Sequence, residues 1–117
     1  MTYIEINGTL HEAYIHGYTR DKDWDDRESK AITLAMTYAD AMNLFVDGLE
    51  WSIVYTEGET NEIYDNSDFS IAGSVTDNRN GTVTVKMGKP TEVERILMNV
   101  ITEEELNRAY VEGVNSL

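Results

Sequence analysis

The chain has no cysteine, which excludes a disulfide framework and any thiolate ligand to a metal. It has a single proline, Pro90, and no apolar run approaches the roughly 18 to 20 residues that a membrane span needs. The first residues lack the basic and apolar regions of a signal peptide. We therefore expect synthesis in the cytoplasm and no membrane partner.

Lysine, arginine and histidine are absent between Lys30 and Arg79. That interval holds nine carboxylates: Asp40, Asp47, Glu50, Glu57, Glu59, Glu62, Asp65, Asp68 and Asp77. It contributes −9 of the formal net charge of −13. A field of one sign over so long a stretch argues against direct binding to nucleic acid or to anionic membranes. This distribution of charge does not indicate any particular activity.

The length and composition fit one globular domain, residues 1–117. Hydrophobic residues make up 41 % of the chain, which is too many for a disordered protein even at this charge.

Local patterns predict the N-terminal elements. Alternation in Thr2–Ile6, the turn dipeptide Asn7-Gly8 and a return strand through Tyr18 indicate a hairpin over residues 2–18. Residues 20–28 are predicted to form a mixed-charge loop that contains Trp24.

The centre, residues 31–56, is predicted as strand, helix and strand. Ile32, Leu34 and Met36 share one strand face, and Thr37 resembles a helix N-cap. The helix has an apolar stripe at Tyr38, Ala41, Met42 and Phe45, and Asp47-Gly48 is expected to end it. A strand follows, with Trp51, Ile53 and Tyr55 on one face.

Residues 57–66 are polar and are predicted to form a loop. A hairpin over residues 67–87 follows, with a bulge at Gly73 and an alternating strand of Val83, Val85 and Met87. Capping boxes at Thr91 and Thr102 predict two C-terminal helices within residues 91–116. The order indicates an α+β fold, mainly an antiparallel sheet of about six strands, with one short central helix and two C-terminal helices.

No motif predicts catalysis or a cofactor. Asp21, Asp23 and Asp25 resemble the start of an EF-hand loop, but its glycine and bidentate glutamate are replaced by Asp26 and Ile32. Alternation along a strand directs His11 and His16 to opposite faces, and no glycine-framed serine accompanies them. We expect a non-enzymatic protein without metal or cofactor.

The candidate interaction residues are one aromatic side chain and one group of carboxylates. Trp24 is a large apolar residue in a charged segment, so it is either a binding anchor or a cover for the edge of the core. The carboxylates are those without a local role: Glu57, Glu59, Glu62, Asp65 and Asp68. They form a solvated surface, a docking face for a basic protein, or a mimic of nucleic-acid phosphates.

Three strings of the chain are distinctive: RDKDWDDRES at residues 20–29, DNSDFSIAG at 65–73 and DNRNGTVTVKMGK at 77–89. Through these strings the chain, from about Tyr18 to Glu94, resembles small proteins encoded in prophages of Gram-positive gut bacteria, often near tail genes. Residues 31–55 are similar in pattern. The resemblance implies a phage-associated structural or accessory protein, and it brings no catalytic residue.

Together these observations predict a phage-associated protein-interaction domain, related to a phage tail, with incorporation into the virion open. The alternative is an acidic inhibitor that occupies the nucleic-acid site of a nuclease or of a host defence complex. The partner is expected to be a protein, and the oligomeric state stays open.

Overall fold

The computed structural model describes residues 1–97, which share one antiparallel sheet of seven strands. The elements are β1 (Thr2–Ile6), β2 (Thr9–Asp21), β3 (Arg27–Ala35), α1 (Tyr38–Leu44), β4 (Ser52–Glu57), β5 (Thr60–Asp65), β6 (Ile71–Asp77) and β7 (Thr82–Gly88). Residues 92–97 are also helical. The strand order is β5-β4-β1-β2-β3-β7-β6. The α+β class is confirmed in outline, with seven strands where about six were predicted.

The predicted N-terminal hairpin is confirmed, and its second strand is longer than expected. Asn7 and Gly8 have φ angles of 53° and 79°, as a type I′ turn requires. Strand β2 pairs with β1 through its first residues and with β3 through the remainder, so it joins the two halves of the sheet.

The loop predicted over residues 20–28 is wrong in extent. Only a tight turn separates β2 from β3, because the carbonyl oxygen of Asp21 accepts the N–H groups of Trp24 and Asp26.

One side of the sheet, which we call the inner face, carries the core. Its buried side chains come from the four strands β1, β3, β4 and β7 and include Ile4, Ile32, Ile53, Val85 and Met87. The predicted strand face of β7 is confirmed, and that of β3 is confirmed for Ile32 and Leu34, which lie opposite Val85 and Val83. Met36 lies beyond the end of β3, so its place on that strand face is wrong. Helix α1, Trp51 and Phe69 cover this face.

Helix α1 begins as predicted and is buried over a narrower face. The N–H of Asp40 donates to Thr37 Oγ1 at 3.1 Å, which confirms the N-cap. Ala41 and Phe45 are buried, but Tyr38 and Met42 are 48 % and 49 % exposed, so half of the predicted stripe is wrong. The helix has seven residues and presents only one edge to the sheet.

The end predicted for α1 at Asp47-Gly48 is also wrong. The last helical residue is Leu44, and Phe45 is the C-cap. Gly48 takes a φ of +84° in the turn that follows, where its N–H donates to the carbonyl oxygen of Ser70.

The connection between β5 and β6 requires the sheet to curl. These strands lie at opposite edges, six inter-strand steps apart, which is roughly 29 Å in a flat sheet. Residues 66–70 join them and span at most about 21 Å. The sheet therefore curves around the inner face, and the connection crosses the core with Phe69 buried beneath it.

The last described elements agree with the sequence in part: the hairpin predicted over residues 67–87 forms, but its first strand begins at Ile71, because residues 67–70 belong to the connection from β5. The pairing of β6 with β7 shifts between Ala72 and Val75, which confirms the bulge at Gly73. Thr91 and Glu94 exchange the two hydrogen bonds of a capping box, at 2.8 and 3.2 Å. The second predicted C-terminal helix lies outside the described residues. Within residues 1–97, no helix has the length and hydrophobicity of a membrane span.

Candidate protein-docking site

The segment predicted as an acidic loop is a β-hairpin. Strands β4 and β5 pair in continuous register from Ser52 opposite Asp65 to Glu57 opposite Thr60. Two residues, Gly58 and Glu59, connect them, and Gly58 has a φ of +63° at the first turn position, as a type II′ turn requires. We call residues 52–65 the acidic hairpin. The loop prediction for residues 57–66 is therefore wrong.

The error has a physical cause. All six residues of β5 are exposed, so neither face of the strand needs apolar side chains. A strand of this kind is held by the backbone groups of its neighbour, and its own composition resembles that of a loop.

The predicted carboxylates lie on different sides of the hairpin. Glu57 and Glu62 share a side with Ile53, Tyr55 and Tyr64, since the register places Tyr55 opposite Glu62. Asp65 lies on the other side with Ile63, while Glu59 is in the turn and Asp68 is beyond β5. The carboxylates therefore do not form a single row.

Asp65 and Asp68 have partners outside the acidic hairpin. Asp65 Oδ1 accepts both the N–H and the hydroxyl of Ser67, at 3.0 and 2.6 Å, and these bonds lower the pKa of Asp65. Asp68 forms an ion pair with Lys89 at 3.4 Å. Lys89 also contacts Glu28, and that bond is the main reason that the pKa of Lys89 is raised.

Two tyrosines lie among the remaining carboxylates. The hydroxyl of Tyr64 donates to Glu62 Oε2 at 3.0 Å, which raises the pKa of Tyr64. The rings of Tyr55 and Tyr64 meet edge to face with centroids 5.7 Å apart. Both are largely exposed, at 42 % and 51 %, and Ile63 on the other side of the strand is 64 % exposed. Aromatic and apolar groups beside charged ones are typical of a protein-binding surface.

A groove of about 380 Å³ lies beside these tyrosines, between β5 and the connection that crosses the core. Its wall includes Lys30, whose ammonium donates to Asn66 Oδ1 and lies 4.5 Å from the centroid of Phe69. Burial lowers the pKa of Lys30. The lining combines one ammonium group, carboxylates and aromatic rings, which are groups that contact a side chain by charge and by aromatic packing.

The predicted anchor Trp24 lies elsewhere, on the outer face of the sheet. Its ring covers Gly73 and Gly88, and the Arg27 guanidinium carbon lies 4.4 Å from the ring centroid. In the described part of the chain, no hydrogen bond joins Trp24 to the predicted carboxylates. The structure thus separates two groups of residues that the sequence offered as one interaction set.

Below Trp24, Asp21 is buried among polar partners. Asp21 Oδ2 accepts from Lys86 and Ser29, each at 2.8 Å, and the bond from Lys86 is the main cause that lowers the pKa of Asp21. Asp21 is the first of the three aspartates that resemble the start of an EF-hand loop, and these two bonds occupy its carboxylate. In residues 1–97, no three side chains of the metal-ligating types converge on one point.

The sequence did not single out Ile63, Tyr64 or Lys30 as parts of a site. The two-residue gap at Gly58-Glu59 after a predicted strand was the one local signal that could have placed the first two on a returning strand. Lys30 reaches the groove only because the sheet curls, and no local pattern predicts that.

Comparison with protein-family models, with curated proteins and with solved structures finds no match to this chain.

Proposed function

We propose that this chain is a non-enzymatic, phage-associated structural or accessory domain that binds another protein through the acidic hairpin. The observation that carries the proposal is the exposure of β5, a whole edge strand whose six residues all face solvent. Around it lie the carboxylates Glu57, Glu59 and Glu62 and two exposed tyrosines. Such a surface suits a basic protein partner.

The phage association rests on the resembling strings, which supply structure here. Residues 20–29 hold the turn around Trp24, residues 65–73 form the connection across the core, and residues 77–89 contain the β6–β7 turn and strand β7. These strings favour a role in a phage tail assembly, in which the mature protein is part of the virion.

Mimicry of nucleic acid has less support. A phosphate mimic needs carboxylates in rows on one surface, and the acidic hairpin divides them between two sides and a turn. Asp65 is in addition engaged by Ser67, and Asp68 by Lys89.

The test is purification of virions after prophage induction, from cells that carry the chain with Glu57, Glu59 and Glu62 changed together to glutamine. We expect the unchanged chain to co-purify with virions and the triple variant to be lost from them. A matched control changes three exposed carboxylates elsewhere, Glu12→Gln, Asp23→Asn and Glu92→Gln, with the same change in net charge. Retention of the hairpin variant at the level of the control contradicts the proposal.

A further inference from the structure

We infer that β5 accepts an added strand from its partner, and that this strand has the pattern basic, apolar, apolar, basic. The inference rests on the proposed function, because it specifies how the acidic hairpin binds. Strand addition combines main-chain hydrogen bonds with side-chain pockets, so both the edge and its side chains define the partner.

The direction of the backbone N–H and C=O groups shows which residues of β5 form its free edge. The N–H of Asn66 donates to the carbonyl oxygen of Trp51 at 2.8 Å, so this residue faces β4. Residues alternate along an antiparallel strand, and Tyr64, Glu62 and Thr60 therefore also face β4. The N–H and C=O groups of Asn61, Ile63 and Asp65 point away from the sheet. Among residues 1–97, no strand pairs with them.

The opposite edge of the sheet is protected. Strand β6 is interrupted by the bulge at Gly73 and Ser74, and bulges of this kind disrupt further pairing. Asp47 Oδ1 accepts the N–H of Ala72 at 2.8 Å, and the N–H of Gly48 donates to Ser70 O at 2.8 Å. Within residues 1–97, side-chain and loop contacts thus block the β6 edge, whereas the β5 edge is regular and unpaired.

The side chains of β5 define the pattern of the partner strand. Directly opposed side chains on neighbouring strands lie about 4.5 to 5.5 Å apart, so charge pairs and apolar pairs form between them. Asp65 and Glu62 call for basic residues, and Tyr64 and Ile63 between them call for apolar ones. The pattern reads almost the same in both directions, so it fits parallel or antiparallel addition.

A second copy of this chain fits the edge less well than a basic partner. Pairing of two acidic hairpins brings the carboxylates of both copies together. Residues 31–78 contain no base that could offset them. Like charges brought close across an interface oppose association.

The probe is a short capped peptide with the pattern arginine, valine, valine, arginine, and its matched control is methylated on alternate backbone nitrogens. Methylation keeps the charge and removes the strand hydrogen bonds. We expect the control peptide to bind at least about tenfold more weakly, measured by calorimetry.

On the protein, Ile63→Pro removes an outward N–H, which edge strands tolerate, and Ile63→Thr keeps it. The proline variant is expected to lose about tenfold in affinity relative to threonine.

NMR detection of the contact between the rings of Tyr55 and Tyr64 in the Ile63→Pro variant shows that its hairpin is still formed. If that variant loses the hairpin, the methylated peptide carries the test alone. Equal binding of both peptides overturns strand addition, and so does failure of the unmethylated peptide to bind.

Two further outcomes separate this inference from the proposed function. If Glu57→Gln, Glu59→Gln and Glu62→Gln together remove the chain from virions while methylation of the peptide has no effect, the hairpin docks by side chains only. In that case the proposed function stands and strand addition fails. A dimer in sedimentation that dissociates in Ile63→Pro identifies a second copy as the occupant and also overturns the inference.

Discussion

Trp24 is held on the outer face of the sheet because two glycines leave space for its ring. A methyl group added at Gly73 would lie 2.6 Å from the Trp24 ring, and one added at Gly88 would lie 2.6 Å from Arg27 Cδ and 2.8 Å from the same ring. These approaches are closer than packed carbon atoms allow. This packing thus gives Trp24 a structural role on the sheet.

Gly73→Ala is expected to lower the free energy of unfolding by about 1 to 3 kcal/mol, because the rigid ring must move. Gly17→Ala is the matched control, since nothing lies within 4 Å of a methyl group there. Its effect is expected to stay within about 0.5 kcal/mol. Urea denaturation measures both, and equal effects contradict the packing of Trp24 on Gly73.

Asp21 links the turn around Trp24 to the sheet through Lys86 and Ser29. Its pKa is lower in the folded chain than the value of 3.8 expected when unfolded. The ionised carboxylate therefore stabilises the fold above that value, and the contribution is lost as the pH falls through the lower folded pKa.

Asp21→Asn is expected to cost about 2 kcal/mol at neutral pH, because it leaves the Lys86 ammonium without its charged partner. The difference from the unchanged chain should shrink as the pH falls below about 4. Denaturation at a series of pH values measures it. A difference that stays constant into acid contradicts the role given to the Asp21 carboxylate.

At the scale of elements, the turn of the acidic hairpin depends on Gly58. A side chain at its φ of +63° is strained, and the cost for alanine is about 1 to 2 kcal/mol. Gly58→Ala should speed hydrogen exchange of the Thr60 and Glu62 amides, which face β4, whereas Glu59→Ala should leave them nearly unchanged. Equal exchange in the two variants is inconsistent with the type II′ turn.

Elements fixed by near neighbours in the sequence could be predicted. The Asn7-Gly8 turn, the Thr37 cap and the alternation of Val83, Val85 and Met87 each depend on contacts within a few residues. Strand β5 could not be predicted in this way, because its pairing comes from β4 and not from its own composition. The carboxylates were recognised as a group, but their division between two sides depends on that same register.

At the scale of the whole molecule, the order of the strands and the curvature of the sheet could not be predicted. Both depend on the short connection at residues 66–70, which joins strands at opposite edges of the sheet. The excess of negative charge was visible in the sequence, and its effect on a partner acts at long range.

Because the net charge is −13, we expect the association rate with the basic peptide to fall at least about tenfold when salt rises from about 0.05 M to about 0.5 M. The dissociation rate should change less, since short-range strand hydrogen bonds govern it. Stopped-flow fluorescence measures both rates. An association rate that does not depend on salt contradicts steering by the acidic surface.

The central claim is that the acidic hairpin is the docking surface, and NMR titration of the labelled chain with the basic peptide tests it most directly. The account predicts that the largest shifts fall on the amides of Asn61, Ile63 and Asp65, with Gly73 and Ser74 unchanged. Shifts that instead concentrate around Trp24 and Gly73 would contradict it.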